Sequence, residues 1–530
     1  MNRNSISILG VILFFGFIVR VILIDFPIPT SEEARLADRG FRLATEGRDE
    51  LGRQMPLFFN AQEDYQFPVV SYITALGELI FGKSEFGARV PFIIIGTFII
   101  PVVFKISKRF GLNQSTAFLA AFLIAFSPPL IFLSRIPNET IVLTLLFAIL
   151  FYLIIQKSIN ILLVVSILTF IVLTSKLAFF ILLPYVCLAL LLQKEESKPK
   201  KITVLVACSA VILIGIFLFL TNSQAKRSLL ENNFSIISNL TISNGINTLR
   251  GEGIQSGWNP FWERALFNKL HFITVGFLHW ISHFNLSIFF GQFDTFGIFN
   301  FKSLGAWPKA LIIPLFIGIA SVVKERSKLS LIFWLFLILT FPALFFYPSI
   351  NLELLTLTLP FMALIIAIGF IKMNKLISTL IIFFVIFEII TTLFNTPLEI
   401  KKAADTRPYW VKSIIDDVDK LSQESAVAIS DNIISDITPL IGWYTSINPT
   451  NQYLNNDTPY RFLQYDMGNI KIIKSDNNFN ECGNEQYTLF LGERDFNKLK
   501  NKLEVKVSKI YQDNNEKNAA YLILNKICIN

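Results

Sequence analysis

The sequence predicts a mainly α-helical, polytopic membrane protein that carries a small α/β domain after its last membrane span. Hydrophobic residues make up 53% of the 530 residues, and charged residues only 16%. The apolar residues come in blocks of roughly 20, the length that a helix needs to cross a bilayer core of about 30 Å. After residue 395 these blocks stop and shorter runs follow. We therefore expect a transmembrane domain over residues 1–395 and an α/β domain over residues 396–530.

Eleven apolar runs are predicted to span the membrane. The basic loops "KISKRFGLNQ", "QKSIN", "KEESKPKK", "KERSK" and "KMNK" then all fall on the side of Met1. Because basic loops mark the cytoplasmic side, the N-terminus is expected inside and the C-terminal domain outside. The net charge of +8 is thus a topogenic feature and does not indicate nucleic-acid binding. The predicted spans are approximately 6–25, 89–107, 115–133, 139–156, 160–175, 178–193, 202–222, 308–323, 329–346, 354–371 and 376–394.

Two further apolar stretches, residues 67–82 and 270–290, are predicted to lie in the outer interface. The first is short and contains Glu78, and the second is rich in aromatic residues and histidine. Counting either one as a span would move downstream basic loops to the outside, against the positive-inside rule. We therefore expect amphipathic interfacial helices at both places.

The C-terminal segment combines two helical patterns with five strand patterns. "RPYWVKSIIDDVDKLSQES" and "ITPLIGWYTS" indicate helices, whereas "AVAIS", "NIKIIK", "YTLFLGE", "KLEVKVSKIY" and "AAYLILNKI" indicate strands. Cys482 and Cys528 both fall in this domain. Because oxidising conditions outside the cytoplasm permit disulfides, we expect a bridge between them.

Two adjacent acids, Glu32 and Glu33, follow the first span in the stretch "PIPTSEEARLADRG". Thr30 with Glu33 three residues later forms a capping-box pattern, which accounts for Glu33 as the start of a helix. Arg35 and Arg39 follow Glu32 at helical spacing, so that surface ion pairs are one explanation for that acid. A functional role at the membrane edge is the other explanation.

The order of the next segments resembles a family of membrane enzymes. After the acidic pair come "GRDELGRQMPLFFNAQEDYQFPVVSYITALGELIFGKSEFGARVP", "FSPPLIFLSRIPNET" and "LTSKLAFFILLPY". This succession resembles the multispanning GT-C glycosyltransferases, in particular the family of the protein O-mannosyltransferases and the aminoarabinose transferases of lipid A. The resemblance covers residues 10–190 well and is looser through "HWISHFNLSIFF". It implies a GT-C-like fold with an extracytoplasmic C-terminal domain.

The resemblance also implies site residues. The catalytic Asp of the family falls on Glu32 and its neighbouring acid on Glu33, and the acid of the second outer loop falls on Glu139. The basic residues expected near the donor phosphate fall on Arg135 and Lys176. The positions that bind a divalent metal ion in some relatives fall on Asp64 and His283.

Each of these residues also has an explanation without catalysis. A carboxylate at Glu32 could take the proton of an acceptor hydroxyl, and Arg135 or Lys176 could stabilise the leaving phosphate. Lys176 could instead snorkel to the interface, and Arg135 could anchor to lipid headgroups. Glu139 at a helix start is favourable by about 0.3–1 kcal/mol through the helix dipole alone. A single His in an aromatic helix, such as His283, is commonly a packing residue.

The sequence departs from the family pattern in three places. The family's Asp is Glu32 here, its Lys-Pro-Pro segment is Gln66-Phe67-Pro68, and the segment "NLELLTLTLP" lacks a basic residue that relatives often carry. The donor-phosphate site therefore has fewer cations than the family pattern implies.

Three functions are compatible with this sequence. The first is a glycosyltransferase, inverting by direct displacement, that takes a sugar from a polyprenyl-phosphate donor to an unknown protein, lipid or glycan acceptor at the outer face of the cell membrane. The second is a transporter of lipid-linked sugars, which would require polar or broken helices at the bilayer midplane. The third is a catalytically inactive relative that binds a glycolipid, which the departures at Glu32 and Gln66 favour. No nucleic-acid partner is expected.

Overall fold

The structure, a computed structural model, divides the chain into two compact units. The membrane unit contains Met1–Ile22, Leu57–Val70 and Val90–Asn395, and the loop–sheet unit contains Leu23–Pro56, Ser71–Arg89 and Thr396–Asn530. The sequence-based division into residues 1–395 and 396–530 remains a proposal. The structure describes residues 3–22, 29–50, 52–61, 64–156, 158–192, 196–221, 239–259, 261, 270–293, 305–324, 330–345, 351–403, 410–430, 433, 437–445, 450–451, 465–466, 469–473, 479–481, 487–500, 507–512 and 518–529.

The chain is mainly helical. The helices of the first part are α1 (Arg3–Val21), α2 (Ser31–Glu46), α3 (Pro68–Phe81), α4 (Glu85–Arg109), α5 (Gln114–Ala125), α6 (Pro128–Leu133), α7 (Glu139–Ile154), α8 (Ile161–Val172), α9 (Ala178–Leu192) and α10 (Lys198–Leu220). Those of the second part are α11 (Leu240–Gln255), α12 (His271–Ser282), α13 (Leu286–Phe290), α14 (Ile312–Lys324), α15 (Ser330–Thr340), α16 (Leu352–Lys372), α17 (Lys375–Ala403), α18 (Trp410–Ser422), α19 (Thr438–Tyr444) and α20 (Glu493–Lys500), with 3-10 turns at Lys309–Leu311 and Phe341–Leu344.

Apolar helices of membrane-crossing character occur throughout the membrane unit. Within the described residues, four stretches are long and apolar enough to span a bilayer, namely Glu85–Arg109, Lys198–Leu220, His271–Phe290 and Leu352–Lys372, and seven apolar helices are shorter. The chain is a multi-pass membrane protein, whereas the count of eleven crossings stays a prediction. The stretch 270–290, expected in the interface, thus reaches spanning length, although it divides into α12 and α13.

The predicted span 115–133 is two helices in the structure. Helix α5 ends at Ala125, and α6 begins at Pro128 after the N-cap residue Ser127. Proline lacks the N–H that a continuous helix needs and disfavours helical backbone in the residue before it. The "SPP" sequence therefore ends one helix and starts the next.

Hydrogen bonds between helix ends sort the ends of the membrane unit into two groups. Arg109 at the end of α4 donates from Nε to the carbonyl oxygen of Ile155 after α7, at 2.6 Å. Arg20 near the end of α1 donates from Nη1 to the carbonyl oxygen of Ala125 at the end of α5, at 2.8 Å. The predicted alternation of spans places Arg109 with Ile155 on one side and Arg20 with Ala125 on the other. Which side faces the cytoplasm remains a proposal.

Helices α14 and α16 meet at two glycines. A Cβ atom on Gly369 would lie 1.8 Å from the carbonyl oxygen of Pro314, and one on Gly318 would lie 2.1 Å from that of Ile365. The two backbones are therefore in direct contact, as small residues permit in membrane helix packing. Most of α16 is buried, which places this helix at the centre of the membrane unit.

The C-terminal part forms a mixed sheet. The strands are β3 (Ala426–Ser430), β4 (Thr450–Asn451), β5 (Tyr465–Asp466), β6 (Ile470–Ile473), β7 (Phe479–Glu481), β8 (Tyr487–Gly492), β9 (Val507–Gln512) and β10 (Asn518–Ile529), and a separate hairpin pairs β1 (Phe59–Ala61) with β2 (Asp64–Gln66). The sheet order is β6-β3-β8-β10-β7, and β9 also pairs with β10. Strand β3 is parallel to β6 and β8, whereas β10 is antiparallel to its neighbours.

Successive residues of β3 pack on opposite faces of this sheet. Val427 and Ile429 lie in one core with Ile414 of α18, and Ala428 lies in the other with Leu499 of α20. The alternation follows from the two-residue period of a strand. The five predicted strands and both predicted helices are confirmed, whereas α20, β7, the β1–β2 hairpin and the β4–β5 pair were not predicted.

Candidate active site

Helix α2 begins with the predicted capping box. The Thr30 hydroxyl accepts a hydrogen bond from the Glu33 N–H at 3.2 Å, and Glu33 Oε2 accepts one from the Thr30 N–H at 3.1 Å. Glu33 is buried, and Glu32 in the same first turn is exposed. The structure thus confirms the structural role of Glu33 and leaves the neighbouring carboxylate accessible to solvent.

Helix α2 buries an unusual number of charged side chains. Arg39 has no exposed surface and binds the Glu50 carboxylate through both Nε, at 2.8 Å from Oε2, and Nη2. Arg42 Nε donates to Asp38 Oδ2 at 2.9 Å. The spacing from Glu32 had suggested that Arg39 forms a surface ion pair. Arg39 instead forms a buried ion pair with Glu50. Buried charges are costly unless they are paired, and these pairs fix α2 and the loop after it.

Burial and pairing act in opposite directions on the acids of these pairs. Burial alone would raise the pKa of Glu50, but the Arg39 guanidinium holds the pKa of that carboxyl below its ordinary value. Burial of Asp38 outweighs the attraction of Arg42 and raises the pKa of the Asp38 carboxyl. The loop that follows α2 is thus held by an ionised acid at Glu50.

Glu78 of α3 is a buried acid whose two carboxyl oxygens have no hydrogen-bond partner among the described residues. Its side chain packs against the backbone of α2, because a Cβ atom on Gly40 would lie 2.9 Å from Glu78 Oε2. Burial, together with the charge of Asp38, raises the pKa of Glu78 to about 10. Helix α3 has 14 residues, about 21 Å at 1.5 Å per residue, and is not among the four described stretches that are long and apolar enough to span a bilayer. Glu78 is therefore a neutral acid at physiological pH, held outside the membrane spans.

A second set of charges links the start of α4 to the acidic pair. Arg89 Nη2 lies 3.5 Å from Glu33 Oε2, and Arg89 Nη1 lies 3.5 Å from Glu85 Oε2. Arg89 is almost entirely buried. The segment "GKSEFGAR" therefore has a physical role, since its Arg89 bridges its own Glu85 to the capping-box residue Glu33.

Arg135 in the membrane unit binds the end of α1. Its Nε donates to the carbonyl oxygen of Arg20 at 3.2 Å, and its Nη2 donates to that of Val19 at 2.5 Å. A cation at a helix C-terminus is favourable and satisfies carbonyls that the helix leaves unpaired. Arg135 therefore caps a helix, and a contact with the donor phosphate stays a prediction.

The other predicted residues lie at helix boundaries of the membrane unit. Lys176 is half-buried in the turn between α8 and α9, and Glu139 is half-buried as the first residue of α7. The carbonyl oxygen of Leu173, in the same turn as Lys176, accepts a hydrogen bond from the Val69 N–H of α3 at 3.4 Å. The turn with Lys176 thus adjoins the segment Gln66-Phe67-Pro68.

His283 is fully buried and uses both ring nitrogens within the protein. Nδ1 donates to the carbonyl oxygen of His279 at 2.8 Å, and Nε2 accepts from the Asn351 N–H at 2.9 Å. Neither nitrogen then offers a lone pair to a metal ion. Asp64 lies on β2, and its side chain is outside the described part of the chain. Among the described residues no group of three or more His, Cys, Asp and Glu could hold a metal, so the residues do not fit a site at His283.

A family comparison covers the segment with Glu78, Arg89, Arg135 and Lys176. Residues 66–221 match the family described as dolichyl-phosphate-mannose-protein mannosyltransferase. The predicted family resemblance is confirmed over this segment. No curated protein matches the chain.

Solved structures of membrane glycosyltransferases are similar to the chain at low identity. An oligosaccharyltransferase from Archaeoglobus fulgidus is 12% identical over 84% of this chain and 64% of that one, with a TM-score of 0.46. The chain thus spans less than two thirds of that protein. ArnT from Cupriavidus metallidurans, solved with undecaprenyl phosphate, is 9% identical over 98% of this chain and 97% of that one, with a TM-score of 0.49. The Archaeoglobus enzyme has also been solved in complex with Zn and sulfate, at 14% identity over 82% and 61% of the two chains and a TM-score of 0.44.

The predicted site residues belong to two different units. Glu32 and Glu33 belong to the loop–sheet unit, whereas Asp64, Arg135, Glu139, Lys176 and His283 belong to the membrane unit. Sequence reasoning missed the buried network of Arg39, Glu50, Glu85 and Arg89. The density of charge in "EEARLADRGFR" and "GRDELGRQ", next to a membrane span, was the feature that could have indicated it.

Proposed function

We propose that the protein transfers a sugar from a polyprenyl-phosphate donor to an acceptor at the outer face of the membrane. The observation that carries this proposal is the match of residues 66–221 to a family of dolichyl-phosphate-mannose-protein mannosyltransferases. The burial of paired charges on α2 supports it, because such networks are costly and occur where a charged group must be held in place.

In this proposal Glu32 is the general base. It is exposed in the first turn of a helix whose following turns are held by buried ion pairs. Its carboxylate takes the proton of the acceptor hydroxyl as the oxygen attacks the anomeric carbon, and the bond to the polyprenyl phosphate breaks. The leaving phosphate gathers negative charge that Arg135 and Lys176 are proposed to stabilise. Direct displacement of this kind inverts the anomeric centre.

Two solved structures similar to this chain contain a polyprenyl phosphate. ArnT of C. metallidurans was solved with undecaprenyl phosphate, and the A. fulgidus enzyme with an inhibitory peptide and a dolichol-phosphate. We propose that this chain likewise binds a polyprenyl phosphate, with the reaction centre and the C-terminal domain outside the cytoplasm.

The test is sugar transfer by the purified protein from radiolabelled polyprenyl-phosphate sugars to membrane extract. Glu32→Gln is expected to lower the rate by about 10²–10⁴-fold, because the amide cannot accept the proton. Glu46→Gln is the matched control, since Glu46 is an exposed acid at the other end of the same helix. Its rate should equal that of the wild type.

The acidic position allows a second comparison. Glu32→Asp restores the residue common in the family, and retained activity would indicate an ordinary site that tolerates the longer acid. If Glu32→Gln transfers sugar at the wild-type rate, Glu32 is only part of a helix start. If wild-type vesicles move the donor across the membrane without consuming it, the protein is a transporter.

A further inference from the structure

Helix α2 packs against residues of the C-terminal part of the chain within the loop–sheet unit. Small side chains on α2 and at the start of α4 meet larger apolar side chains of α18 and α19. This layer is formed by Ala34, Ala37, Ala88, Val411, Ile415, Leu440 and Trp443. Alanines let the backbone of α2 approach these helices closely, so that a shift of α18 or α19 would be felt by α2.

A chain of polar contacts runs beside this apolar layer. The Tyr444 hydroxyl at the end of α19 donates to Glu85 Oε1 at 2.6 Å. The other oxygen of Glu85 faces Arg89 at 3.5 Å, and Arg89 faces Glu33 at 3.5 Å. Glu33 then accepts the Thr30 N–H that closes the capping box. The hydroxyl of Tyr444 is thus joined, through two charged side chains, to the turn that carries Glu32.

Burial makes this chain of contacts sensitive to the loss of one member. The side chain of Arg89 is only 2% exposed, and those of Glu33 and Glu85 are each 9% exposed. Two acids share the single guanidinium of Arg89, and Lys412 Nζ adds a further contact to Glu85 Oε1 at 3.2 Å. Burial and the charge of Glu85 raise the pKa of Tyr444, so its hydroxyl remains a donor at physiological pH. Removing a hydrogen bond to a buried charged group costs more than removing one between neutral groups.

We propose that Tyr444 is a positioning residue for the acidic pair, acting through Glu85 and Arg89 on Glu33 and hence on the first turn of α2. The C-terminal domain would then set the place of the general base rather than serve as a separate appendage. This inference rests on the proposed function for its kinetic consequence. Its physical content, that the hydroxyl of Tyr444 holds the start of α2, does not depend on that function.

The test compares Tyr444→Phe with Tyr511→Phe in the full-length protein. Tyr511 is a matched control, because its hydroxyl also donates to a carboxylate of the C-terminal domain, Asp417 Oδ2, at 2.5 Å. Neither Tyr511 nor Asp417 belongs to the apolar layer around α2. Hydrogen–deuterium exchange of peptides covering residues 29–43 reports the opening of the first turns of α2. We expect about tenfold faster exchange there for Tyr444→Phe, as is typical for losing a hydrogen bond to a charged group, and no change for Tyr511→Phe.

The kinetic test measures kcat and KM separately for each variant. A small displacement of a catalytic group lowers turnover, so Tyr444→Phe should lower kcat by roughly 10–100-fold while the KM for the polyprenyl-phosphate donor and the Tm stay within the range of the control. Glu85→Gln, which keeps the shape of the acceptor, should increase exchange of α2 in the same way. Equal exchange of α2 in Tyr444→Phe and Tyr511→Phe would overturn the inference. A wild-type protein that transfers no sugar from any donor would overturn the proposed function, while the exchange comparison would still decide the role of Tyr444.

Discussion

The raised pKa of Glu78 predicts that the free energy of unfolding depends on pH. In the folded protein its pKa is about 10, against an ordinary value of 4.5 for a glutamate that is exposed on unfolding. Between these values the unfolded state has lost a proton that the folded state keeps. The free energy of unfolding therefore falls as pH rises, by about 1.4 kcal/mol per pH unit. Below pH 4.5 the carboxyl is protonated in both states and this penalty disappears.

Glu78→Gln removes this dependence, because the amide does not ionise in either state. From pH 6 to pH 8 the stability of Glu78→Gln relative to the wild type should rise by up to about 2.7 kcal/mol. With an unfolding entropy of about 2.1 cal/mol/K per residue over the whole chain, this corresponds to a difference in Tm that grows by roughly 2–3 °C. Thermal unfolding of detergent-solubilised protein at pH 6, 7 and 8 measures it directly.

Thr74→Val is the matched control for Glu78→Gln. Thr74 lies at the same contact with Gly40, and its replacement changes packing without changing the number of bound protons. Its effect on Tm should be the same at each pH. A Tm difference between Glu78→Gln and the wild type that does not change with pH would refute the reasoning, because Glu78 would then ionise in the folded protein.

Two further predictions concern packing and covalent structure. Gly369→Ala should destabilise the protein by several kcal/mol, because its Cβ atom would lie 1.8 Å from the Pro314 carbonyl oxygen. Gly245→Ala is the control, because a Cβ atom at this position on α11 would have nothing within 4 Å, and it should change the stability by no more than about 1 kcal/mol. The Tm of each variant measures the effect. Cys482 lies outside the described residues, but the backbone of Cys528 pairs with that of Asn480, which lies two residues before Cys482 in the sequence. We expect a disulfide between Cys482 and Cys528, and mass spectrometry of protein from its native compartment that finds both thiols free would contradict this.

Local patterns predicted the local structure well. The capping box of Thr30 and Glu33 was read correctly because both partners lie within one turn of sequence. The strands of the C-terminal sheet were recognised for a similar reason, since alternation over five or six residues suffices. The break between α5 and α6 was missed because the hydrophobicity of the "SPP" region hides the backbone effect of two prolines.

The charged network could not be predicted in the same way. Arg39 pairs with Glu50 only because the chain reverses after α2, so spacing along one helix pointed to the wrong kind of partner. Tyr444 and Glu85 are separated by 359 positions, and nothing in either local sequence indicates the other. Glu78 was noticeable as an acid in a short apolar stretch, but its raised pKa follows from burial and from the charge of Asp38, which the local sequence does not show.

The contact between the turn after α3 and helix α19 has a consequence for how the protein is made. Lys83 Nζ donates to the carbonyl oxygen of Gly442 at 2.9 Å, across 359 residues of chain. At a synthesis rate of about 5–20 residues per second, roughly 20–70 s pass between the emergence of these two partners. During that time Ala34 and Ala37 of α2 lack the apolar cover that α18 and α19 later supply. A nascent chain stalled before residue 442 should therefore expose an incompletely packed helix α2 to proteases.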